Sequence, residues 1–353
     1  MTTYKQAGVD ILLGDICSQI MSGAADKTFR NRKNKTGSIK VIEKKGLHRV
    51  ITVSLGNFVL MLNSDGIGTK VEFAERMEKH DTMAYDLLAM LCDDSVRYGA
   101  EPVAVSNILD ASSLDKNIIS QLAKGMGKAA EEAGVAVVSG EIAELGKRVS
   151  GYGRCSYNWG GTVLSIMKKE VAWGGIKNGD AIVGFREKGF RSNGLSLVRK
   201  IMEKEFGSRW HREKTGSRML GSIALTPSTI YSRAALKTLD YAKGIAHITG
   251  GGIPGKLGRI TGLKKCGADI SDPFEPCPLM LLCQKAGNVS DKEAYRVWNM
   301  GQGMLIITDR PEKALSAAAE HKINAKIVGE ITGGGKIAIK SMGTFNKGEK
   351  LVF

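Results

Sequence analysis

The sequence Ser64-Asp65-Gly66-Ile67-Gly68-Thr69-Lys70 follows directly after an apolar stretch that is typical of a β-strand. Gly66 and Gly68 allow backbone N–H groups to approach an anion closely. Asp65 provides a hard oxygen ligand of the kind that Mg²⁺ prefers, while Thr69 and Lys70 add a hydroxyl group and a cation. The sequence therefore predicts a turn that binds an anion next to a metal ion.

A second group of acids lies on a helix predicted for residues 81–98. Asp86 and Asp93 are seven residues apart, so at about 100° per residue they lie roughly 20° from each other, with Asp94 a further 100° round. Carboxylates among core residues are costly unless they are paired or bound to metal. Glu141 follows a predicted apolar strand and is expected at the end of a sheet where α/β proteins bind ligands. Helix caps and surface salt bridges are the alternative interpretation of these acids.

The order of the predicted elements indicates two domains. A chain of 353 residues is long enough for two hydrophobic cores. Strand patterns alternate with amphipathic helices in both halves. The first half has a hairpin signal over residues 49–62, and the second has a helix start at Thr226-Pro227. A glycine-rich stretch lies between the halves, so we predict an α/β (α+β) fold with domains 1–172 and 173–353.

The basic charge of the chain is concentrated in one segment. The whole chain has a net charge of +15, and residues 27–50 hold nine Lys or Arg against one acid. A solvated arm, a loop that handles phosphate groups and a nucleic-acid-binding segment are all compatible with this charge. The segment has one aromatic residue, Phe29, and no RNA-binding signature, so it does not favour a nucleic-acid partner.

The composition does not indicate a membrane or secreted protein. The longest apolar stretch, roughly residues 50–62, is interrupted by polar residues and glycine, and it is too short to span a bilayer. The first residues lack the apolar core of a signal peptide. Six cysteines are scattered without a CxxC pair, which is typical of reduced thiols. We expect a cytoplasmic protein with no membrane partner.

Several common motifs of nucleotide-binding proteins and hydrolases are absent from the sequence. There is no GxxxxGK[ST], no GxSxG and no HExxH. The sequence Gly250-Gly251-Gly252-Ile253-Pro254-Gly255 satisfies GxGxxG after a predicted strand. A bare match of this kind is only a weak indication of a dinucleotide site.

Six blocks of the chain resemble, in the same order, the phosphoribosylformylglycinamidine cyclo-ligases, also called AIR synthetases. These enzymes belong to the AIR synthetase and selenophosphate synthetase-like ATP-binding superfamily. These blocks are Asp65–Lys70, Asp94–Pro102, Ser139–Glu144, Ser192–Lys200, His247–Gly252 and Trp298–Met304, and a seventh, Tyr4–Asp10, precedes them. A chance match across so much of the chain is excluded by their shared order.

The resemblance implies an ATP-dependent ring closure in de novo purine biosynthesis. The substrate would be formylglycinamidine ribonucleotide, the product aminoimidazole ribonucleotide, and the cofactors ATP and Mg²⁺. The implied metal ligands are Asp65, Asp94 and Glu141, and the implied catalytic residues are His247, Lys70 and Asp94. The implied nucleotide contacts are Asp65, Gly66, Gly68, Thr69, Lys70, Glu141, Asn193, Gly250 and Gly251.

The resemblance also implies an assembly. In the family, the N-terminal domains pair through their strands into a shared β-barrel, and the active sites lie near the interface. The hairpin over residues 49–62 is apolar on both faces, as strands that are covered on both sides are. We therefore expect a homodimer with a dimeric β-barrel.

The chain departs from the family pattern at several positions. Arg191 replaces a usual histidine, Asp93 a usual asparagine, Asn107 a usual acid and Lys256 a usual asparagine. A usual glycine-rich loop is replaced by the basic residues 36–46. The departures leave two alternatives open, a different ATP-using phosphotransferase or kinase of the superfamily and a non-catalytic nucleotide-binding paralogue.

Overall fold

The N-terminal half of the chain contains a six-stranded mixed sheet. The computed structural model describes residues 11–44, 48–171, 175–262 and 265–353. The strands are β1 (Ser38–Lys44), β2 (His48–Leu55), β3 (Phe58–Gly66), β4 (Ala100–Ala111), β5 (Ala136–Glu144) and β6 (Tyr157–Met167). Their order in the sheet is β1-β2-β3-β6-β4-β5, with β4 and β5 parallel and the other pairs antiparallel.

The part of the N-terminal half that the structure describes also contains four α-helices, of which α3 makes most of the contacts with this sheet. They are α1 (Ile11–Thr28), α2 (Lys70–Met77), α3 (Met83–Val96) and α4 (Lys116–Ala133). α3 packs on β3, β4 and β6, and the side-chain amide of Asn63 donates to the carbonyl oxygen of Leu91 at 3.2 Å. α4 begins as its sequence predicts, because Asp115 accepts from the backbone N–H groups of residues 117 and 118. It ends at Gly134, whose φ of +71° favours glycine.

The predicted hairpin is confirmed, and part of the basic segment adds a further strand to it. β2 and β3 are joined through Gly56, which has a φ of +58°. Part of the basic segment forms β1, which pairs with β2 along seven residue pairs. The guanidinium of Arg32 donates to the carbonyl oxygens of Thr36 and Gly37, so it closes the turn that leads into β1.

The C-terminal half contains a seven-stranded sheet with the order β10-β12-β7-β13-β11-β14-β15. Its strands, with a small separate β8–β9 ribbon, are β7 (Ala181–Arg186), β8 (Lys214–Thr215), β9 (Arg218–Met219), β10 (Ala242–His247), β11 (Gly267–Ile270), β12 (Gln302–Thr308), β13 (Ala325–Thr332), β14 (Ile337–Lys340) and β15 (Lys350–Val352). The helices are α5 (Leu195–Phe206), α6 (Leu220–Ala224), α7 (Ser232–Leu236), α8 (Gly252–Gly262), α9 (Pro278–Gly287), α10 (Asp291–Val297) and α11 (Pro311–Glu320).

The two halves pack against each other. One continuous hydrophobic core contains Leu87 and Leu91 of the first half together with Leu197 and Ile223 of the second. α3 also contacts α7. The predicted domain boundary between residues 172 and 173 lies outside the described residues and stays a prediction.

The prediction of a helix start at Thr226-Pro227 is wrong. Residues 226–231 form an irregular segment between α6 and α7. Backbone groups of this segment bind buried charges: the Thr226 carbonyl accepts from Lys70, and the Thr229 carbonyl accepts from Arg191. A helix would hold these backbone groups in its own hydrogen bonds, so the buried charges favour the irregular path.

The outer face of the N-terminal sheet exposes apolar side chains. Ile51 of β2, Leu62 of β3 and Ile108 of β4 are 39%, 59% and 53% exposed. No closed barrel forms among the strands that the structure describes, so the dimeric barrel stays a prediction. No helix within the described ranges is long and apolar enough to cross a membrane.

Candidate active site

Asp65 lies at the end of β3, on the side of the sheet that faces α3. Its Oδ1 accepts from the backbone N–H of Gly66 at 2.7 Å. Burial raises the pKa of Asp65 to about 6, and the negative charge of Asp94 adds to the increase. A carboxylate that is desolvated beside a second carboxylate gains from a cation placed between them.

Asp94 lies near the end of α3. Its carboxylate contacts one histidine and one arginine. Its Oδ1 lies 2.7 Å from His247 Nδ1 and 3.3 Å from Arg97 Nε. Burial opposes ionisation, but Arg97, His247 and Lys256 outweigh it and lower the pKa of Asp94 below its usual value. Asp94 therefore carries its negative charge throughout the physiological pH range.

Three turns meet beside these carboxylates, as the family blocks predict. A Cβ atom on Gly250 would lie 3.3 Å from Asn193 Oδ1, and one on Gly68 would lie 3.9 Å from the carbonyl oxygen of Ser192. Gly251, with a φ of +91°, leads into α8. Glycine at these positions keeps the backbone accessible where the turns approach each other.

Thr69 lies at the start of α2, four residues after Asp65. It lines an open cleft together with Ser150, Gly151 and Arg199. Its side chain makes no cap hydrogen bond to the backbone of α2. The contact of this hydroxyl group with a bound nucleotide stays a prediction.

Lys70 is placed differently from the prediction that it contacts ATP phosphates. Its side chain is fully buried, and its ammonium donates to Asp86 Oδ1 at 2.6 Å and to the Thr226 carbonyl at 2.7 Å. Asp86 also accepts from the Ser228 hydroxyl. The ammonium thus joins the two halves of the protein and does not reach the Asp65–Asp94 pair.

His247 lies at the end of β10 and is fully buried, so it does not face an open site. One ring nitrogen contacts Asp94, and the other lies 2.8 Å from Arg191 Nη2. Burial and the nearby charge of Arg191 lower the pKa of His247 to about 3. The contacts of His247 in this structure are with Asp94 and Arg191, and its predicted role beside the reacting group stays a prediction.

Glu141 does not join the carboxylate pair. It lies within β5, not after the strand, and its side chain is exposed. Across the sheet, Asp65 of β3 pairs with Gly161 of β6, which pairs with Asn107 of β4, and Asn107 pairs with Gly140 of β5. Three strand spacings of about 4.8 Å separate Asp65 from β5 along the sheet.

Two cations of the site were not among the predicted site residues. Arg97 lies beside Asp94, within the sequence block that carries the resemblance. Lys256 lies on α8, and its charge acts on both Asp65 and Asp94. Burial lowers the pKa of Lys256 to about 8. The sequence marked Lys256 only as a departure from the family pattern, with no sign that it lies near the carboxylates.

The residues present fit Mg²⁺ bound together with phosphate groups. Within the part of the chain that the structure describes, no group of three or more His, Cys, Asp or Glu is arranged to hold a metal ion by itself. Asp65 and Asp94 provide two carboxylates at one place. Mg²⁺ commonly takes one or two carboxylates and fills its other positions with water and phosphate oxygens.

Comparisons with known proteins agree across the chain. Residues 49–164 match the family "AIR synthase related protein, N-terminal domain", and residues 177–341 match "AIR synthase related protein, C-terminal domain". In fold, the chain is similar to a crystal structure of the hydrogenase maturation protein HypE in complex with ATP. That similarity has a TM-score of 0.55 and 16% identity over 85% of each chain, so it concerns the fold alone.

Two curated relatives match over nearly their whole length. The phosphoribosylformylglycinamidine cyclo-ligase of Methanocaldococcus jannaschii is 34% identical over 359 residues, which cover 98% of both chains. The enzyme of the same name from Methanococcus maripaludis (strain S2) is 35% identical over 337 residues, which cover 94% of this chain and 92% of that one. The chain therefore belongs to the phosphoribosylformylglycinamidine cyclo-ligase family.

Proposed function

We propose that this protein closes the imidazole ring of aminoimidazole ribonucleotide in de novo purine biosynthesis. The substrates are formylglycinamidine ribonucleotide and ATP, and the other products are ADP and phosphate. The observation that carries the proposal is the meeting of the turns around Gly68, Asn193 and Gly250 beside Asp65 and Asp94. These turns come from three separate sequence blocks that the family shares.

The overall reaction needs no nucleophile from the protein. The formyl-amide oxygen of the substrate receives the γ-phosphoryl group of ATP, and the amidine nitrogen attacks the activated carbon. Phosphate then leaves with that oxygen, and the closed ring loses a proton. The protein must hold these groups in line and balance the charge on the phosphates.

Asp65 and Asp94 are the residues that would hold Mg²⁺. The bound ion would neutralise charge on the nucleotide phosphates. Thr69 and the backbone of Gly68 would bind phosphate oxygens, because backbone N–H groups of a glycine turn suit anions. The N–H of Gly66 is occupied by Asp65 Oδ1, so Gly66 would act by keeping the turn open to the ligand. Lys256 brings a positive charge to the same place.

His247 and Lys70 take supporting roles in this proposal. His247 donates to Asp94 from a buried position, and Lys70 pairs with Asp86 beneath α2. Neither side chain reaches open space, so neither touches the substrate in this arrangement.

The proposal includes a homodimer. The apolar outer face of the N-terminal sheet, represented by Ile51, Leu62 and Ile108, supports a second copy as its cover. Glu141 is exposed next to this face, on the edge strand β5. A role for Glu141 in nucleotide or metal binding stays a prediction that depends on that assembly.

One assay separates the proposed function from the two alternatives. The protein is incubated with formylglycinamidine ribonucleotide, Mg²⁺ and ATP, and both ADP and aminoimidazole ribonucleotide are measured. Both products are expected. ADP without the ring product would indicate another phosphotransferase, and neither product, despite nucleotide binding, would indicate a non-catalytic paralogue.

The variant Asp94→Asn provides the internal control of this assay. It keeps the shape of the side chain and an oxygen that can accept from His247, but it removes one negative charge. Turnover is expected to fall at least about 100-fold, or roughly 2.7 kcal/mol of barrier, if the carboxylate binds metal. Near-normal turnover would remove Asp94 from the metal site.

A further inference from the structure

Arg191 is fully buried between the two halves of the protein. Its Nη1 donates to Glu187 Oε2 at 2.9 Å and to the Thr229 carbonyl at 2.8 Å. Its Nη2 donates to Asp93 Oδ2 at 2.8 Å. Two buried carboxylates thus already balance the guanidinium charge, as a buried charge requires.

Arg191 makes one further contact that charge balance does not require. Nη2 also lies 2.8 Å from His247 Nε2. A guanidinium group only donates hydrogen bonds, so Nε2 must be the acceptor and carries no hydrogen. The hydrogen of the neutral ring therefore sits on Nδ1, which donates to Asp94 Oδ1 at 2.7 Å.

The result is a buried chain of hydrogen bonds that ends at the proposed metal site. It runs from Glu187 through Arg191 and His247 to Asp94. The first three side chains are fully buried or nearly so, and Asp94 is 19% exposed. Asp94 is the one partly exposed carboxylate in this chain of hydrogen bonds. Its orientation therefore depends on Arg191, whose buried guanidinium cannot itself contact a bound nucleotide.

We infer that Arg191 is a positioning residue for Asp94. It keeps His247 in the tautomer that has no hydrogen on Nε2. His247 in turn orients the Asp94 carboxylate toward a metal-bound nucleotide. The inference rests on the proposed function only in the identity of that ligand. Groups that orient a metal ligand in this way commonly change metal affinity about 10- to 100-fold when they are removed.

The geometry can be tested first without any ligand. Nitrogen-15 NMR of histidine-labelled protein at pH 7.5 distinguishes a ring nitrogen that carries hydrogen from one that does not. Comparison with the variant His247→Gln assigns the signals. We expect hydrogen on Nδ1 and none on Nε2. Hydrogen on Nε2 would overturn the inference whatever the protein catalyses.

The second test compares two buried arginines. Arg191→Met removes the donors but keeps an apolar stem. Arg76→Met is the matched control, because Arg76 also joins the two halves, through Glu72, Glu203 and the Ser208 carbonyl. We expect both variants to lower the melting temperature. Only Arg191→Met should weaken binding of Mg²⁺ with the non-hydrolysable analogue AMP-PNP, by at least about tenfold.

The other outcomes have distinct meanings. Unchanged analogue binding in Arg191→Met, or equal weakening in Arg76→Met, would overturn the positioning role. If Arg191→Met does not fold, Arg191→Lys replaces it. An ammonium is also only a donor, so Arg191→Lys should keep analogue binding within about threefold while losing stability, and a larger loss would count against the inference. If the unaltered protein does not bind the analogue, the proposed function fails, while the histidine spectrum still decides the geometry.

Discussion

Three aspartates on α3 have different partners, and the partners determine what each carboxylate can do. Asp86 is fully buried against Lys70, and Asp93 is fully buried against Arg191. Asp94 keeps part of its surface open beside His247. Of the three, only Asp94 combines a firmly held negative charge with access to a ligand.

The Lys70–Asp86 pair gives a prediction about stability. Lys70→Met leaves Asp86 buried without its cation, which should cost about 3–5 kcal/mol of unfolding free energy. The double variant Lys70→Met/Asp86→Leu removes both charges and should cost less than the single variant. Urea denaturation of the three proteins measures the difference.

The same variants test the position of Lys70. If Lys70 serves the fold and not the phosphates, the folded double variant should bind Mg²⁺ with AMP-PNP within about threefold of the unaltered protein. A loss of ten-fold or more, in a protein that remains folded, would restore the phosphate-binding role that the sequence predicted.

Asp65 gives a prediction about pH. Its pKa in the folded protein, about 6, lies above the ordinary value for an aspartate, so its ionisation costs stability as the pH rises through about 6. A bound cation favours the ionised form, so protons compete with Mg²⁺ below that pH. From this group alone, binding of Mg²⁺ with AMP-PNP should be about fourfold tighter at pH 7.5 than at pH 5.5.

A variant isolates the contribution of Asp65 to that pH dependence. Asp65→Asn cannot ionise, so it should bind more weakly at both pH values and lose the fourfold component. The phosphate groups of AMP-PNP also change protonation with pH, and this contribution is the same in Asp65→Asn as in the unaltered protein. An equally steep dependence in Asp65→Asn would assign the effect to another group.

At the scale of elements, local signals in the sequence predicted local structure well. The β2–β3 hairpin and both ends of α4 follow from Gly56, Asp115 and Gly134. The chemistry of such turns and caps depends on a few neighbouring residues. The prediction of a site at Asp65 and the glycine turns rests on local signals of the same kind.

Elements whose path depends on distant charges could not be predicted in this way. Thr226 has the sequence of a helix start, but Lys70, from the other half of the protein, needs its carbonyl oxygen. Similarly, Arg191 and Asp93 look like two separate departures from the family pattern, whereas the structure places them 2.8 Å apart as one ion pair. Sequence spacing alone does not show either contact.

The basic segment gives a prediction at this scale. Lys33, Lys35 and Lys40 are exposed around the start of β1, whereas Arg32 closes a turn and is better left intact. If the segment attracts the nucleotide, ATP KM should rise steeply with ionic strength, because salt screens such contacts over about 8 Å at physiological concentration. The triple Lys→Gln variant should raise KM and flatten the salt dependence, with kcat changed less.

A control with the same change in charge distinguishes a local effect from a general one. Lys313, Lys322 and Lys336 are exposed lysines of the C-terminal half, and their triple Gln variant should leave KM unchanged. Equal effects of both triple variants would indicate only a general attraction. No effect of the first would support a solvated segment, and loss of a salt-sensitive RNA complex in a gel-shift assay would support nucleic-acid binding.

At the scale of the whole molecule, the two faces of the N-terminal sheet differ in how they are covered. One face is covered by α3, on which α4 packs, whereas Leu62 and Ile108 remain more than half exposed on the other face. Exposed apolar surface of this extent on one face of a sheet is typical of an interface. A two-fold dimer through this face would bury it in both copies.

We therefore predict that the protein sediments at twice the 37.9 kDa of a single chain at micromolar concentration. Placing charges in the proposed interface, as Leu62→Lys/Ile108→Lys, should shift the protein to the single-chain mass, because two buried and unpaired ammonium groups in each copy would oppose association. Val352→Lys is the matched control. Val352 is an exposed apolar residue on β15 of the other sheet, 42% exposed, so this variant should remain a dimer. Sedimentation velocity of the three proteins tests the interface. A single-chain mass for the unaltered protein would show that this face does not form a dimer interface. An intact dimer in the folded double variant would show the same.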